Sequence, residues 1–180
     1  MVTAQNTGQK TKKGPRVLSE YGKQLQEKQK LKNLYNLREA QLAKLVKEIL
    51  GSRSKNDKDI AYLLIKSIEE RLDNVIFRLG LAVSRPQARQ LISHKHFLVN
   101  DKSVNIPSQR VKKGDVIKLK QKSIAKKIFQ NIVARLKKHT VPSWLSWDLE
   151  KLEAKVIGEP TLDEVASPVE IHLIFEYYSK

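Results

Sequence analysis

Between Arg71 and Lys120 the spacing of apolar residues changes period once, and that change limits what the chain can fold into. Leu72, Val75, Ile76 and Leu79 share one face of a helix that Gly80 stops, and Ala88, Leu91 and Ile92 form the inward stripe of a second helix. Ser84 with Gln87 has the spacing of a capping box for that second helix, and Pro86 fits its first turn. After His96 the runs FLVN, KSVNI and DVIKLK are short and β-type, separated by Asn100-Asp101 and by KKGD, both of turn chemistry. Two helices therefore lead into a small sheet, and the fold class is α+β.

The flanks follow other rules. Residues 1–16 have almost no apolar content and are expected to stay disordered until something acidic orders them. From Leu18 onward the spacing is helical. Leu25, Leu31, Leu34 and Tyr35 mark one helix, Leu42, Val46 and Ile49 a second that ends at Gly51, and Ala61, Leu64, Ile65 and Ile68 a third. Residues 17–70 thus read as a helical domain and residues 71–140 as a second unit. That unit ends in SIAKKIFQNIVARLKKH, which returns to helical spacing through Ile124, Ile128, Ile132 and Leu136. Residues 141–180 form a tail with Trp144 and Trp147 as core anchors, an alternating LEAKV, and a strand-like IHLIFEYY at the end.

The formal net charge is +16, and that much uncompensated charge costs self-repulsion unless a polyanion neutralises it. Its distribution is uneven. Residues 1–56 carry 13 basic and 4 acidic side chains, residues 71–120 carry 11 and 3, and residues 121–140 carry 6 and none. Residues 141–180 reverse the balance with 3 basic and 8 acidic, so Glu150, Glu153, Asp163, Glu164 and Glu170 are expected to face a basic protein neighbour or pack away from nucleic acid.

On the second helix of the 71–140 unit, Arg85 and Arg89 stand four apart, a like-charge spacing that costs a few tenths of a kcal/mol and that an external anion would explain. Arg71 and Arg78 make a second basic face on the preceding helix, and Lys102, Arg110, Lys112 and Lys113 populate the adjoining turns. Charge held on a packed helix keeps its direction, so arginine forks meet phosphates without first losing the freedom of a loop. Aromatic residues are 6% of the chain, too few for extensive base stacking, which favours a folded RNA recognised through phosphates, 2′-hydroxyls and shape.

Several classes of function are disfavoured. Without cysteine there are no disulfides, no cysteine-ligated metal and no thiol catalysis. His94 and His96 stand two apart but have no third or fourth ligand cluster, so no metal and no cofactor is expected. Glu69 and Glu70 point about 100° apart on a helix and read as a solvated face, not a catalytic pair. No phosphate-binding glycine loop or nucleophile elbow occurs, and no apolar run reaches the roughly 20 residues that span a bilayer. The expectation is a cytoplasmic, non-enzymatic protein with no membrane partner; the basic start leaves organellar import open.

The stretch RLDNVIFRLGLAVSRPQARQLISHKHFLVN, continued by VNIPS and VKKGDVI, resembles the small RNA-binding module named after the fourth protein of the bacterial ribosomal small subunit. That module also occurs in RNA-modifying enzymes and in a free-standing RNA chaperone, the alternatives here. GPRVLSEYGKQLQEKQKLKNLYNL, PSWLSWD and HLIFEYYSK resemble the ribosomal family itself, over roughly residues 14 to 180. The resemblance implies a helical domain with the RNA module inserted as a second lobe, two helices on a short, mostly antiparallel sheet, and a tail whose last strand returns to the first domain. It implies small-subunit ribosomal RNA and neighbouring ribosomal proteins as partners, with roles in subunit assembly and translational accuracy. It implicates Arg71, Arg78, Arg85, Arg89, Gln90, His94, Lys95 and Asn100 in the module's RNA face or its support, and Lys28, Lys30, Lys32 and Arg38 on the first helices. Lys12, Lys13 and Arg16 would stand at the messenger RNA entry channel. Relatives often begin with a longer, cysteine-bearing zinc segment; this chain has no cysteine, so no zinc is implied.

Overall fold

The computed structural model describes residues 18–51, 57–130, 132–148, 151–162 and 169–179. The expected disordered start, residues 1–16, lies outside them.

Helix α1 (Glu20–Leu34) begins where Ser19 caps it, its hydroxyl accepting from the Gly22 N–H at 3.2 Å, and ends at Tyr35, after which Asn36 turns the chain with φ +50°. Helix α2 (Glu39–Leu50) buries Leu42, Val46 and Ile49, and α3 (Asp57–Glu69) buries Leu64, Ile65 and Ile68. These stripes close one core with Leu31, Tyr35, Leu37, Val169, Ile174 and Phe175. The last two belong to the terminal helix α8 (Ile171–Tyr178).

That helix corrects the expected terminal strand. An eight-residue apolar and aromatic run suits either state, but Ile171, Ile174, Phe175 and Tyr178 fall at helical spacing and pack toward the first core. α1 is polar along most of its length, and α8 shows why it holds. Gln24 donates to Glu176 at 2.8 Å, the Glu170 N–H donates to Glu27 at 3.0 Å, and the Lys28 ammonium lies 4.2 Å from the Tyr177 ring centre.

The second lobe is built from α4 (Leu72–Arg78) and α5 (Arg85–Ser93) against a sheet. Ser84 caps α5 as expected, accepting from the Gln87 N–H at 3.3 Å, while the Gln87 side chain reaches back one residue further, to the Val83 N–H at 2.7 Å. Strands β1 (Phe97–Val99) and β2 (Lys102–Ser103) form a hairpin whose two-residue turn, Asn100 and Asp101, has φ +49° and +63°, the left-handed pair that asparagine and aspartate tolerate. With β3 (Val116–Leu119), β4 (Leu145–Asp148) and β5 (Glu153–Val156) they make a five-stranded sheet, order β2-β1-β3-β5-β4, antiparallel throughout. Only the start of KSVNI is strand, because Val104 bends into the core.

Two further expectations change. The basic segment 121–138 is α6 (Gln121–Ile124), a 3₁₀ turn (Lys127–Phe129) and α7 (Ile132–Lys137), broken by extended backbone at Lys126 and Gln130. The break buries Phe129 and leaves Ile128 exposed, the reverse of a continuous helix through Ile124, Ile128 and Ile132. The tail also divides. β4 and β5, with Trp144, Leu145, Ala154 and Val156, belong to the second lobe's core; among the described residues Val169 to Tyr178 pack into the first core, and Glu159 meets Lys66 and the Tyr62 hydroxyl of α3 at 2.6 and 2.7 Å. No helix among the described residues is long and apolar enough to cross a membrane.

Candidate nucleic-acid interface

The two lobes meet over buried charge. Glu69, at the end of α3, has no solvent exposure and accepts from the Tyr35 hydroxyl at 2.7 Å, from Arg78 Nε at 3.1 Å and Nη2 at 2.6 Å, and from the Asn74 amide. Beside it the buried Asp73 accepts from Arg71 at 2.8 and 3.1 Å and from Arg89 Nε at 2.7 Å. Arg89 also donates to the carbonyls of Asn36 and Tyr35, which the left-handed turn at Asn36 presents. The Arg85 guanidinium is sandwiched between the rings of Tyr35 and Phe77, 4.6 and 4.5 Å from their centres, and donates to Asn74 at 2.7 Å.

Two carboxylates buried this deeply are tolerable only because cations and neutral donors surround them. Burial first, then the charge and hydrogen bond of Glu69, push the Tyr35 hydroxyl above the ordinary tyrosine value, so it stays a proton donor. Burial opposes the charge on Arg78, but the hydrogen bonds and charge of Glu69 outweigh it and raise its pKa. Arg85, held mainly by rings and an amide, is lowered by burial.

These contacts correct two readings. Glu69 is not a solvated face but the centre of the inter-lobe clasp. Nor does the Arg85/Arg89 spacing require an external anion, since Asp73, Asn74 and two backbone carbonyls of this chain meet those side chains. Arg71, Arg78, Arg85 and Arg89 stand as supports between the lobes.

The first-helix lysines are also engaged. Lys28 is buried and 2.9 Å from Glu39, Lys32 lies 3.3 Å from the same carboxylate, and Lys30 pairs with Glu27. Arg110 is half-exposed and 3.7 Å from Glu48. Asn100 shapes the hairpin, donating to Asp115 at 2.8 Å and accepting from the Val116 N–H at 2.9 Å. Lys12, Lys13 and Arg16 lie outside the described residues.

What remains open to solvent is a smaller set. Arg38, Gln90, His94, Lys95, Lys102, Lys112 and Lys113 are exposed, and none of their side chains meets a carboxylate among the described residues. Gly114, with φ +96° and open space around it, forms the bend that displays Lys112 and Lys113. The candidate set omits Lys122, Lys126 and Lys127, exposed on the broken segment after β3; the absence of acid from residues 121–140 is the sequence signal for them. It also omits Glu69, Asp73 and Tyr35 as organising groups, for which local spacing offers no sign.

Comparison with known proteins agrees with this geometry. The family model described as "S4 domain" matches residues 70–117, and "Ribosomal protein S4/S9 N-terminal domain" matches residues 3–64. A relative in Caldicellulosiruptor saccharolyticus, named small ribosomal subunit protein uS4, is 46% identical over 176 residues, covering 96% of this chain and 79% of the relative. Relatives of the same name in Halothermothrix orenii and Clostridioides difficile are 44% and 42% identical, covering 90% and 93% of this chain and 76% and 78% of their own lengths. The clasp joins the two matched regions at their boundary, and with identity at this level over nine-tenths of its length, the chain belongs to the small ribosomal subunit protein uS4 family.

Proposed function

We propose that the protein is a structural constituent of the small ribosomal subunit whose second lobe and first-lobe helices together bind small-subunit ribosomal RNA. The carrying observation is the division of its cations. One group is neutralised internally and stiffens the lobe junction, and the other is displayed without carboxylate partners on that stiffened frame. Arg38, Lys95, Lys102, Lys112 and Lys113 would contact phosphates, Gln90 and His94 would donate to or accept from sugar and phosphate groups, and Arg71, Arg78, Arg85 and Arg89 would support the face from behind.

Five phosphate contacts release counterions to give a salt slope of about −4, counting roughly 0.7–0.9 per contact. Bracing RNA in this way suits a role in assembling the subunit and, through position, in translational accuracy. Lys12, Lys13 and Arg16 are assigned to messenger RNA at the entry channel, and Glu150, Asp163, Glu164 and Glu170 to a basic protein neighbour or a face turned away from the RNA, Glu153 being held by Lys118 of this chain. The reading contains no catalytic step. An RNA-modifying enzyme or a free-standing RNA chaperone built on the same module is disfavoured, because the match to the ribosomal family extends through the first lobe.

Crosslinking in cells, followed by identification of the bound RNA, tests this. Enrichment of a folded small-subunit segment is expected; transfer RNA or large-subunit fragments would overturn the assignment.

A further inference from the structure

One acidic side chain of the tail spans the two lobes. Glu159 follows β5, where the Ile157 and Gly158 N–H groups both donate to the Trp144 carbonyl, at 2.9 and 3.1 Å, and the Val156 N–H donates to the Asp115 carbonyl at 3.0 Å. Trp144 and Val156 lie in the second lobe's core, so the backbone that carries Glu159 moves with that lobe. Its side chain reaches the other lobe. One carboxylate oxygen accepts from the Tyr62 hydroxyl at 2.7 Å, and the other lies 2.6 Å from the Lys66 ammonium, both partners on α3.

The place of these contacts along α3 matters. The Val111 N–H donates to the Glu70 carbonyl at 2.9 Å and the Leu72 N–H to the Gln109 carbonyl at 2.8 Å, so these bonds, like those of Glu69 and Asp73, gather where the chain crosses from α3 to α4 and form a pivot. Lys66 and Tyr62 stand three and seven residues before Glu69, about 5 and 10 Å back along the helix. A contact set off from a pivot has the longer lever against rotation. Arg89 braces the second lobe on the end of α1, and Arg110 approaches Glu48 of α2 at 3.7 Å; Glu159 braces it along α3.

An ordinary surface ion pair would explain the contact as well as any role would, if stability were the only measure. The Glu159 side chain is 54% exposed, and pairs of that kind contribute little to folding. Here, however, both oxygens are taken by donors of the opposite lobe, and the hydrogen bonds of Lys66, then of Tyr62, hold the carboxyl below the usual carboxylate range. What such a contact supplies is direction. Arg38 on the first lobe and Lys112 and Lys113 on the second have to meet one folded RNA together, so the angle between the lobes decides whether both sets reach it.

We infer that Glu159 is a positioning strut that, through Tyr62 and Lys66, sets the angle at which the two lobes present their RNA-binding faces. The inference rests on the RNA-binding reading above and adds to it a residue that touches no RNA.

The chain has no cysteine, so Lys47→Cys on α2 and Ser93→Cys on α5, both exposed, take spin labels at those two places alone. Double electron–electron resonance on the free, full chain should give one narrow distance. Glu159→Ala should broaden it while the urea midpoint stays close to the parent's, and Tyr62→Phe with Lys66→Met should broaden it from the other side of the contact. Without labels, on a small-subunit ribosomal RNA transcript, Glu159→Ala should bind about two- to fivefold more weakly at an unchanged salt slope, the affinity equivalent of one exposed pair. Loss of a carboxylate by itself would tighten binding to a polyanion. Glu20→Ala, which takes an exposed acid from the first turn of α1 and keeps the Glu159 contacts, supplies that comparison. A distance that stays narrow in both contact variants overturns the strut. A broadened distance with RNA binding as tight as that of Glu20→Ala overturns its part in presenting the faces. Failure of the parent chain to bind the transcript would instead defeat the RNA-binding reading, and the distances would still decide the strut.

Discussion

Replacing Glu69 by alanine tests the clasp at its centre. The carboxylate is fully buried and receives four hydrogen bonds, one from Tyr35, one from Asn74 and two from Arg78. Removing it strands the Tyr35 hydroxyl, which is 2% exposed as a residue, and leaves Arg78 without its counter-charge. Breaking a buried pair by deleting one partner costs about 3–5 kcal/mol, and the 23% exposure of the Arg78 side chain lets water recover a little, so about 3–4 kcal/mol is expected. Tyr35→Phe deletes one bond to a charged acceptor that keeps three others, for about 1.5–2 kcal/mol. A Glu69→Ala/Arg78→Ala double variant should lose less than the sum of the two single ones, with a coupling of about 2–3 kcal/mol. Urea unfolding followed by far-UV circular dichroism measures all of these. Tyr35 belongs to the first lobe's core and Arg78 to α4 of the second, so the single variant should also resolve one transition into two. A loss under about 1 kcal/mol, the range of solvent-exposed ion pairs, with a single sharp transition, would refute the clasp.

Other perturbations address other parts of the molecule. Arg89→Ala should destabilise by about 1.5–3 kcal/mol, since Asp73 keeps Arg71 and the Asn74 N–H but loses one of its two cations, while the salt slope for RNA stays at the parent value; a flattened slope would return Arg89 to the RNA face. Gly80→Ala should lower the melting temperature by about 4–8 °C, because φ is +75° and the new Cβ would lie 2.8 Å from the His139 ring; an unchanged midpoint by scanning calorimetry would exclude that strain. The folded-state pKa of His96 lies below its unfolded value of about 6.5, so its neutral form contributes stability in full above that pH and loses it as pH falls toward the folded value. Urea midpoints between pH 7.5 and 5 should fall more steeply for the parent than for His96→Asn, and parallel profiles would remove His96 from the titration.

Much of the second lobe was legible because its signals are local. Apolar spacing on α4 and α5, the serine cap at Ser84 and the Asn100-Asp101 turn each lie within a few residues of what they determine. The roles of the arginines were not legible, because Glu69 lies nine residues from Arg78 and Asp73 sixteen from Arg89, and those pairs exist only once α4 packs on α5 and on the end of α3. α8 was ambiguous because a short run rich in aromatic and branched residues suits a strand as well as a helix, and the core it enters lies more than 100 residues upstream. Separation along the chain, though shorter, also hid the pairing of β5 with β3, where Val116 faces Lys155, and that pairing draws half of the tail into the second lobe.

The return of α8 to the first core sets an order on synthesis. Among the described residues the second lobe's buried cluster ends at Val156, so its core is made before the segment that closes the first lobe, whereas the earlier helices stay open until Val169, Ile174 and Phe175 arrive. The part of the chain translated first therefore finishes folding last, and a message truncated near its end would release a product with a sound middle and an unsealed beginning.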